Sequence, residues 1–260
     1  MILRSTLTGS GLLIASLLSN TAVADCLRYG ADRAADVDAA GIRTVLIGAG
    51  AGDLSVRGTA TTRVRAKGRA CADSQDRLDA IKIETRRDGD TLRVDAILPD
   101  TDHALNNRSL DLSIDVPATA ALSIVDSSGD IDVENVAGVR VEDSSGDIDI
   151  KTVNGDVEVT DSSGDVVIAD VTGNVLVPVD SSGELVFRRI HGGVHVKTDS
   201  SGGITANEIN GDVTIDSDSS GDIGVSQVGG SFTVASDSSG DIEQRSVLGK
   251  VSIPRKKRDD

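Results

Sequence analysis

Apolar residues recur in short alternating runs over the second half of the chain. One such run consists of Ile148, Ile150, Val153, Val157 and Val159, and similar runs follow it at a regular interval. A spacing of two places successive apolar side chains on one face of a strand, and the wider steps around Val153 indicate a corner. The pattern therefore predicts short strands joined by corners around an apolar interior.

The tetrapeptide Asp-Ser-Ser-Gly marks the period of these runs. It occurs seven times, at intervals of 17, then 18, then 19 residues four times over. Its first residues are Asp126, Asp143, Asp161, Asp180, Asp199, Asp218 and Asp237. A period of about 20 residues is typical of a solenoid, in which each coil buries its apolar face only against its neighbours.

A second glycine lies nine residues after each motif glycine, so each coil has two half-turns of similar length. One glycine per corner, supplying one left-handed residue, favours a coil. Antiparallel hairpins are the alternative, because Asn154-Gly155 and Asn210-Gly211 suit two-residue turns. The other five coils fit such turns poorly, so we expect an all-β fold, a parallel β-solenoid (β-helix) with coils of about 19 residues.

Residues 25–121 predict an irregular β-rich capping section, although residues 27–38 show no clear period. The segment Asp73–Lys82 predicts one short helix with Asp73 or Ser74 as its N-cap. Asp88-Gly89, between two alternating runs, predicts the turn of a β-hairpin. The repeats then occupy residues 122–253, and a charged tail over residues 254–260 blunts the open end of the stack.

The first residues are typical of an export signal. Arg4 precedes a short apolar run, and Ala22-Val23-Ala24 is a small-x-small cleavage site, so residues 1–24 should be removed and the mature chain should begin at Asp25. Cys26 and Cys71 are the two cysteines, and in an oxidising compartment such a pair most simply forms a disulfide. We expect an exported protein, either periplasmic or at the cell surface and extracellular.

Charge and composition exclude some classes of binding partner. The 260 residues include 26 Lys and Arg against 42 Asp and Glu, a net charge of -16, with two Phe, one Tyr and no Trp. Few aromatic residues suit the thin interior of a solenoid. The negative charge argues against nucleic acid and anionic lipid as direct partners. The apolar run of the signal is too short to span a bilayer, so no direct insertion in a membrane is expected.

Stacking in register would align the seven motif aspartates in a column with a step of about 4.8 Å. A second column would follow the glycine, formed by Asp130, Asp147, Asp165, Glu184, Gly203, Asp222 and Asp241. The simpler interpretation makes these turn residues, whose carboxylates accept hydrogen bonds from their own turn and are otherwise screened by water. The alternative is calcium, with Asp143, Asp161, Asp218 and Asp237 as candidate ligands; no other cofactor is indicated.

The fourth coil is basic. It carries Arg188, Arg189, His191, His195 and Lys197, with His195 and Lys197 expected to point outward. A solvated face is the simplest interpretation, with contact to an anionic glycan as the lesser one. His191 and His195 could also bind a metal, but no third ligand is evident. No nucleophile and base occur together, so no catalytic residue is assigned.

The repeated S-S-G-D-I-x-V and N-G-D-V-x-V halves resemble the bacterial "putative adhesin" family of exported β-strand-repeat domains of unknown function. The earlier segments G-A-G-D-L-S-V and L-D-L-S-I-D-V-P are also similar to it, and the resemblance extends from about Gly41 to Ile253. It implies a β-solenoid, export to the cell envelope and no established catalytic residues.

The sequence thus favours an exported, non-catalytic β-solenoid that binds or scaffolds a protein or glycan surface in the cell envelope. The first alternative is a calcium-binding repeat module that uses the stacked turns. The second is a polysaccharide-active enzyme, although such β-helices normally carry aromatic sugar platforms and this chain has almost no aromatic residues.

Overall fold

The computed structural model describes Cys26, residues 28–99 and residues 108–254. The predicted export signal and residues 255–260 of the predicted tail lie outside these ranges. Within them, no helix has the length and apolar character needed to cross a membrane.

Most of the described chain is strand. The section before the repeats contains β1 (Tyr29–Asp38), β2 (Thr44–Gly48), β3 (Leu54–Thr59), β4 (Arg63–Ala72), α1 (Gln75–Ala80), β5 (Lys82–Asp88), β6 (Thr91–Ile97) and β7 (Arg108–Pro117). The repeats contain β8 (Ala121–Val125), β9 (Ile131–Val136), β10 (Gly138–Glu142), β11 (Ile148–Val153), β12 (Val157–Thr160), β13 (Val166–Val171), β14 (Val175–Val177), β15 (Leu185–Ile190), β16 (Val194–Asp199), β17 (Ile204–Ile209), β18 (Val213–Asp218), β19 (Ile223–Val228), β20 (Phe232–Asp237), β21 (Ile242–Val247) and β22 (Val251–Ser252).

Successive strands of the repeats alternate between two sheets, and each pairs in parallel with its counterpart one coil away. One sheet has the order β1-β4-β7-β3-β9-β11-β13-β15-β17-β19-β21, and the other has the order β22-β20-β18-β16-β14-β12-β10-β8-β2-β6-β5. This is the predicted parallel β-solenoid, with a core enclosed between the two sheets.

The section before the repeats extends the same stack. Strands β2 and β3 pair in parallel with β8 and β9, and β6 and β7 stack in parallel on their other side. Antiparallel strands then close this end, with β5 on β6 in one sheet and β4 and β1 beyond β7 in the other. Capping is therefore limited to the outermost strands and α1.

The local predictions for this section are largely confirmed. Helix α1 begins after Ser74, whose side chain accepts a hydrogen bond from the Arg77 N–H, and it buries Leu78. The hairpin is present, but Asp88 still pairs with Thr91, so its turn residues are Gly89 and Asp90. Gly89 has a φ of 61°, which suits a turn with glycine at its first central position.

Strand β1 was not evident from the sequence. It pairs with β4 along its whole length, and its half-buried residues include the small Ala31 and Ala35 but also the charged Arg33 between them. As an edge strand it buries little surface, so its apolar alternation is weak and the sequence pattern does not reveal it.

The second corner of each coil turns differently from the prediction. The second glycine never has a positive φ; the left-handed residue lies three positions earlier and is not glycine. These residues, with φ between 54° and 61°, are Asn135, Thr152, Asp170, Arg189, Glu208, Gln227 and Ser246. Each is skipped in the strand register, which explains the step of three between Ile150 and Val153. In every coil after the first, the second glycine is needed for space instead: a Cβ on Gly155 would collide with the carbonyl oxygen of Ala137.

The core is a set of apolar ladders in register from coil to coil. Its two large aromatic side chains, Phe187 and Phe232, are fully buried. Phe187 lies beside Ala206 in the next coil, so a small residue compensates for its volume. At the far end Gln244 aligns with the buried Val225 but is exposed, which ends the core with a polar side chain.

Cys26 and Cys71 form a disulfide, with Cα atoms 5.3 Å apart. It joins the chain just before β1 to the end of β4, the strand with which β1 pairs. The bond therefore fastens the outermost strand of the capped end.

Coil stacking predicts a sharp difference between two glycines. Gly202 has a φ of 134°, and a Cβ there would collide with the carbonyl oxygen of Gly183, whereas a Cβ on Gly224 would meet nothing within 4 Å. We expect Gly202→Ala to lower the free energy of unfolding by more than about 1 kcal/mol. Gly224→Ala should leave it unchanged or raise it slightly. Urea unfolding measures both, and equal effects would contradict this account of the stack.

Candidate functional site

The Asp-Ser-Ser-Gly corners connect each coil to the next through side chains as well as backbone. The second serine of a motif donates its hydroxyl to the carbonyl oxygen of the first serine one coil earlier, as Ser201 does to Ser181 at 3.0 Å. Ser145, Ser182, Ser220 and Ser239 do the same. The serines are therefore occupied in stacking, which agrees with their interpretation as turn residues.

The carboxylates that follow the motif glycine form an exposed acidic edge. We use this name for Asp130, Asp147, Asp165, Glu184, Asp222 and Asp241, a series that is interrupted at Gly203, together with Asp53, which has the same register position before the first motif. One oxygen of most of these groups accepts the backbone N–H of the next coil. Asp130 accepts from Asp147 at 3.0 Å, and Asp165 accepts from Glu184 at 2.9 Å. Each bond holds its carboxylate in place at the surface.

At the opposite corner, side-chain oxygens also accept backbone N–H groups of the next coil, but fewer of these side chains are charged. Asp156 accepts the Asn174 N–H at 2.7 Å, Asn174 accepts the Gly193 N–H at 2.9 Å, and Asp212 accepts the Ser231 N–H at 2.6 Å. Short oxygen-bearing side chains therefore lock both corners of the solenoid.

The first aspartates of the motifs lie elsewhere than predicted. We call these seven residues the Asp column; they are Asp126, Asp143, Asp161, Asp180, Asp199, Asp218 and Asp237. The first six are at most 6% exposed, and only Asp237, at the end of the stack, is half-buried. The expectation that water screens them is therefore wrong. The expected local bond is present for Asp161, which accepts the Ser162 N–H at 2.7 Å, and for Asp218, which accepts the Ser220 N–H at 3.2 Å.

Burial disfavours the ionised form of these carboxyls. It raises the pKa of Asp126, Asp161 and Asp218 from 3.8 to about 6. Burial also raises the pKa of Asp143 and Asp199, and for Asp180 the neighbouring Asp199 and Asp161 add to the rise. The N–H groups of Ser144 and Ser145 point toward Asp143 and offset part of its rise, yet neither is in hydrogen-bonding geometry.

The calcium candidates Asp143, Asp161, Asp218 and Asp237 all belong to this column, one to a coil. Over the described ranges there is no group of three or more His, Cys, Asp or Glu that could hold a metal ion. Calcium binding at these four residues stays a prediction.

Two basic side chains of the fourth coil lie beside carboxylates of the neighbouring coils. The Arg189 guanidinium lies 2.6 Å from Asp170, and His195 Nε2 lies 2.8 Å from Asp216. His191 and Lys197 are exposed, as a solvated face requires. The structure thus brings His191 and His195 to the surface without a third metal ligand among the described residues.

A groove of about 790 Å³ adjoins the acidic edge at the capped end. Ser55, Gly68 and Ser113 are among the small residues lining it, with Asp132 and Asp149 on the side of the repeats and Lys67 on the side of β4. Sequence reasoning missed this groove, because strands distant in the sequence form it. The only signal was the coincidence of outward-facing Asp132 and Asp149 at the same register position.

Residues 36–252 match the Toastrack DUF4097 family. The chain belongs to this family. That result agrees with the resemblance noted from the repeats, and it covers nearly all of the described residues. No curated protein matches the chain.

Solved structures share the fold of this chain. A crystal structure of a "putative adhesin" from Bacteroides fragilis has a TM-score of 0.50 at 15% identity, covering 87% of this chain and 98% of that one. A "putative lipid binding protein" from Parabacteroides distasonis has a TM-score of 0.51 at 15% identity, covering 88% of this chain and 98% of that one. At this identity the similarity establishes the fold only.

The acidic edge predicts a difference between two substitutions of Asp165. Asp165→Ala removes the acceptor of the Glu184 N–H, whereas Asp165→Asn keeps an oxygen in the same place. We expect the alanine variant to lose about 1 kcal/mol of unfolding free energy and the asparagine variant to stay close to wild type. Urea unfolding of the three proteins tests this, and equal losses in both variants would show that the bond does not stabilise the corner.

Proposed function

We propose that this protein is an exported, non-catalytic binding or scaffolding module of the bacterial cell envelope. The observation that carries the proposal is the acidic edge, a row of carboxylates held in fixed positions along the outside of a rigid stack. Repetition of one group along a surface suits recognition of an extended partner, whereas catalysis needs one site whose groups differ in environment. The names of the two neighbours, an adhesin and a lipid-binding protein, describe those proteins and are compatible with a binding role.

Export is supported by two independent features. The disulfide between Cys26 and Cys71 needs an oxidising compartment to persist. The N-terminal sequence has the charged start, apolar run and small-residue cleavage site of a secretory signal.

Fractionation of cells that express the full chain tests export. We expect the protein in the periplasmic or extracellular fraction, with an N-terminal sequence starting at Asp25 and no free thiol until a reductant is added. A variant with charged residues in place of Leu13 and Leu17 should stay in the cytoplasm. Recovery of the wild-type chain from the cytoplasm alone, with residues 1–24 intact, would refute export.

The charge of the edge and groove indicates a cationic partner. The exposed carboxylates of the edge continue into the groove at Asp132 and at Asp149, which also pairs with Lys151 at 2.5 Å. Lys67, Arg33 and Arg69 are the cations of the opposite side. A basic protein surface complements this arrangement better than an anionic glycan does. Because backbone N–H groups already hold the edge carboxylates in place, little side-chain entropy is lost when a partner binds.

Binding of a decalysine peptide, measured by fluorescence anisotropy at several salt concentrations, tests this partner chemistry. Asp132→Asn/Asp149→Asn should weaken binding about fivefold, since each exposed charge pair contributes modestly. Lys67→Gln should strengthen it, because the variant removes a repulsive cation. Rising salt should weaken all of these interactions.

The matched control is Glu84→Gln/Asp88→Asn on β5. It changes the net charge by the same amount, and both residues are exposed in the other sheet. Affinity should be nearly unchanged in this control. Equal weakening in the two double variants would show that the peptide responds only to the net charge of the protein. The groove would then have no role in recognition.

A further inference from the structure

The Asp column contains buried carboxylate oxygens that have no hydrogen-bond partner. Asp180 and Asp199 are both 0% exposed, and all four of their side-chain oxygens lack a partner. Asp143 has two such oxygens, and Asp126, Asp161, Asp218 and Asp237 have one each. Unpaired buried oxygens of this kind are costly unless something neutralises or satisfies them.

Apart from backbone N–H groups of the serine turns, which offset part of the rise in pKa, the groups that face these carboxyls are aspartates. Asp180 and Asp199 are direct partners across a parallel bridge between adjacent coils. The charged neighbours that act on the column are Asp161 and Asp199 for Asp180, Asp143 and Asp147 for Asp161, Asp143 for Asp126, and Asp199 and Asp237 for Asp218. None of the ion pairs between described residues includes a column carboxyl.

A single bound proton can supply the hydrogen bond that these facing carboxylates lack. Two ionised carboxylates offer only acceptors to each other, but a protonated Asp180 has an O–H that can donate to Asp199. One proton therefore satisfies an oxygen on each residue and removes one of two like charges in a site without solvent. Other neighbouring carboxyls of the column can share a proton in the same way, because adjacent coils place them one strand spacing apart, about 4.8 Å.

We propose that the Asp column is a proton-binding site, in which Asp180 and Asp199 share a proton at neutral pH. The ligand is the proton itself, held inside the corner of the solenoid. The site is distinct from the acidic edge, whose carboxylates face solvent and accept backbone N–H groups.

The proposal fixes the sign of a pH dependence. A carboxyl with a raised pKa in the folded state contributes stability that is fully present below its unfolded pKa of 3.8 and is lost as pH rises through its folded value. With an unfolded pKa of 3.8 and a folded pKa of about 6 for Asp126, Asp161 and Asp218, this loss extends from about pH 4 to about pH 7, and the part above pH 5 separates pH 5 from pH 8. Asp36, Asp90 and Asp170, whose pKa values are lowered by arginines, have the opposite effect, but only as pH falls toward and below 3.8.

Thermal unfolding of the mature, disulfide-bonded protein at pH 5 and pH 8, with chelator present, is the first measurement. We expect the midpoint at pH 5 to exceed that at pH 8 by at least about 5 °C. Asp180→Asn should raise the midpoint at pH 8 and reduce the difference, because an amide supplies a donor at every pH. Asp222→Asn, an exposed carboxyl of the acidic edge, is the matched control and should keep the wild-type difference.

Infrared spectroscopy of the wild-type protein in D2O at pH 7 gives a readout that a purely structural role would not change. A protonated buried carboxyl has a carbonyl stretch separate from the amide band, and we expect this band at pH 7 and its loss on unfolding. Its absence would overturn the proposal, even if Asp180→Asn failed to fold. A saturable rise in the pH 8 midpoint with calcium, together with no such band, would also overturn it and would assign the column to metal.

Discussion

Stacking of coils in register is the constraint on which the rest of this structure depends. Each coil donates and accepts backbone hydrogen bonds with the next, so any residue at a given position repeats at a step of about 4.8 Å. This leaves no room for a Cβ at Gly202, and it makes a small residue necessary beside Phe187. It also converts a single aspartate in a motif into a column of aspartates. The same geometry therefore produces both the stability of the stack and its largest electrostatic problem.

The two acidic positions of the repeat differ in how the repulsion between stacked carboxylates is reduced. Asp161 and Asp165 are four residues apart, yet Asp161 is buried and Asp165 is exposed. Gly164, with a φ of 144°, lies between them, and its left-handed conformation reverses the direction in which the chain presents side chains. Outside, backbone N–H groups and solvent stabilise the carboxylate. Inside, Asp161 has one N–H partner and a raised pKa.

This reversal also marks the limit of what the sequence could predict. Apolar alternation and the interval of 19 residues were sufficient for the parallel solenoid, because strand periodicity and repeat length depend only on local spacing. Alternation fails at a residue with positive φ, so the inward turn of the Asp column and the left-handed Asp170 and Arg189 were not foreseen. Strand β1 and the groove between Lys67 and Asp132 depend on pairing between distant segments, which no local pattern records.

The inner and outer carboxyls are also coupled energetically. Ionised groups repeated at a step of about 4.8 Å without solvent would oppose the stacking that positions the acidic edge. Protons on the inner column would remove that repulsion while the outer carboxylates stay exposed to solvent. The edge could then bind a cationic partner without the interior losing stability. The two roles can still fail separately, because decalysine binding depends on Asp132 and Asp149, whereas the carboxyl band depends on Asp180 and Asp199.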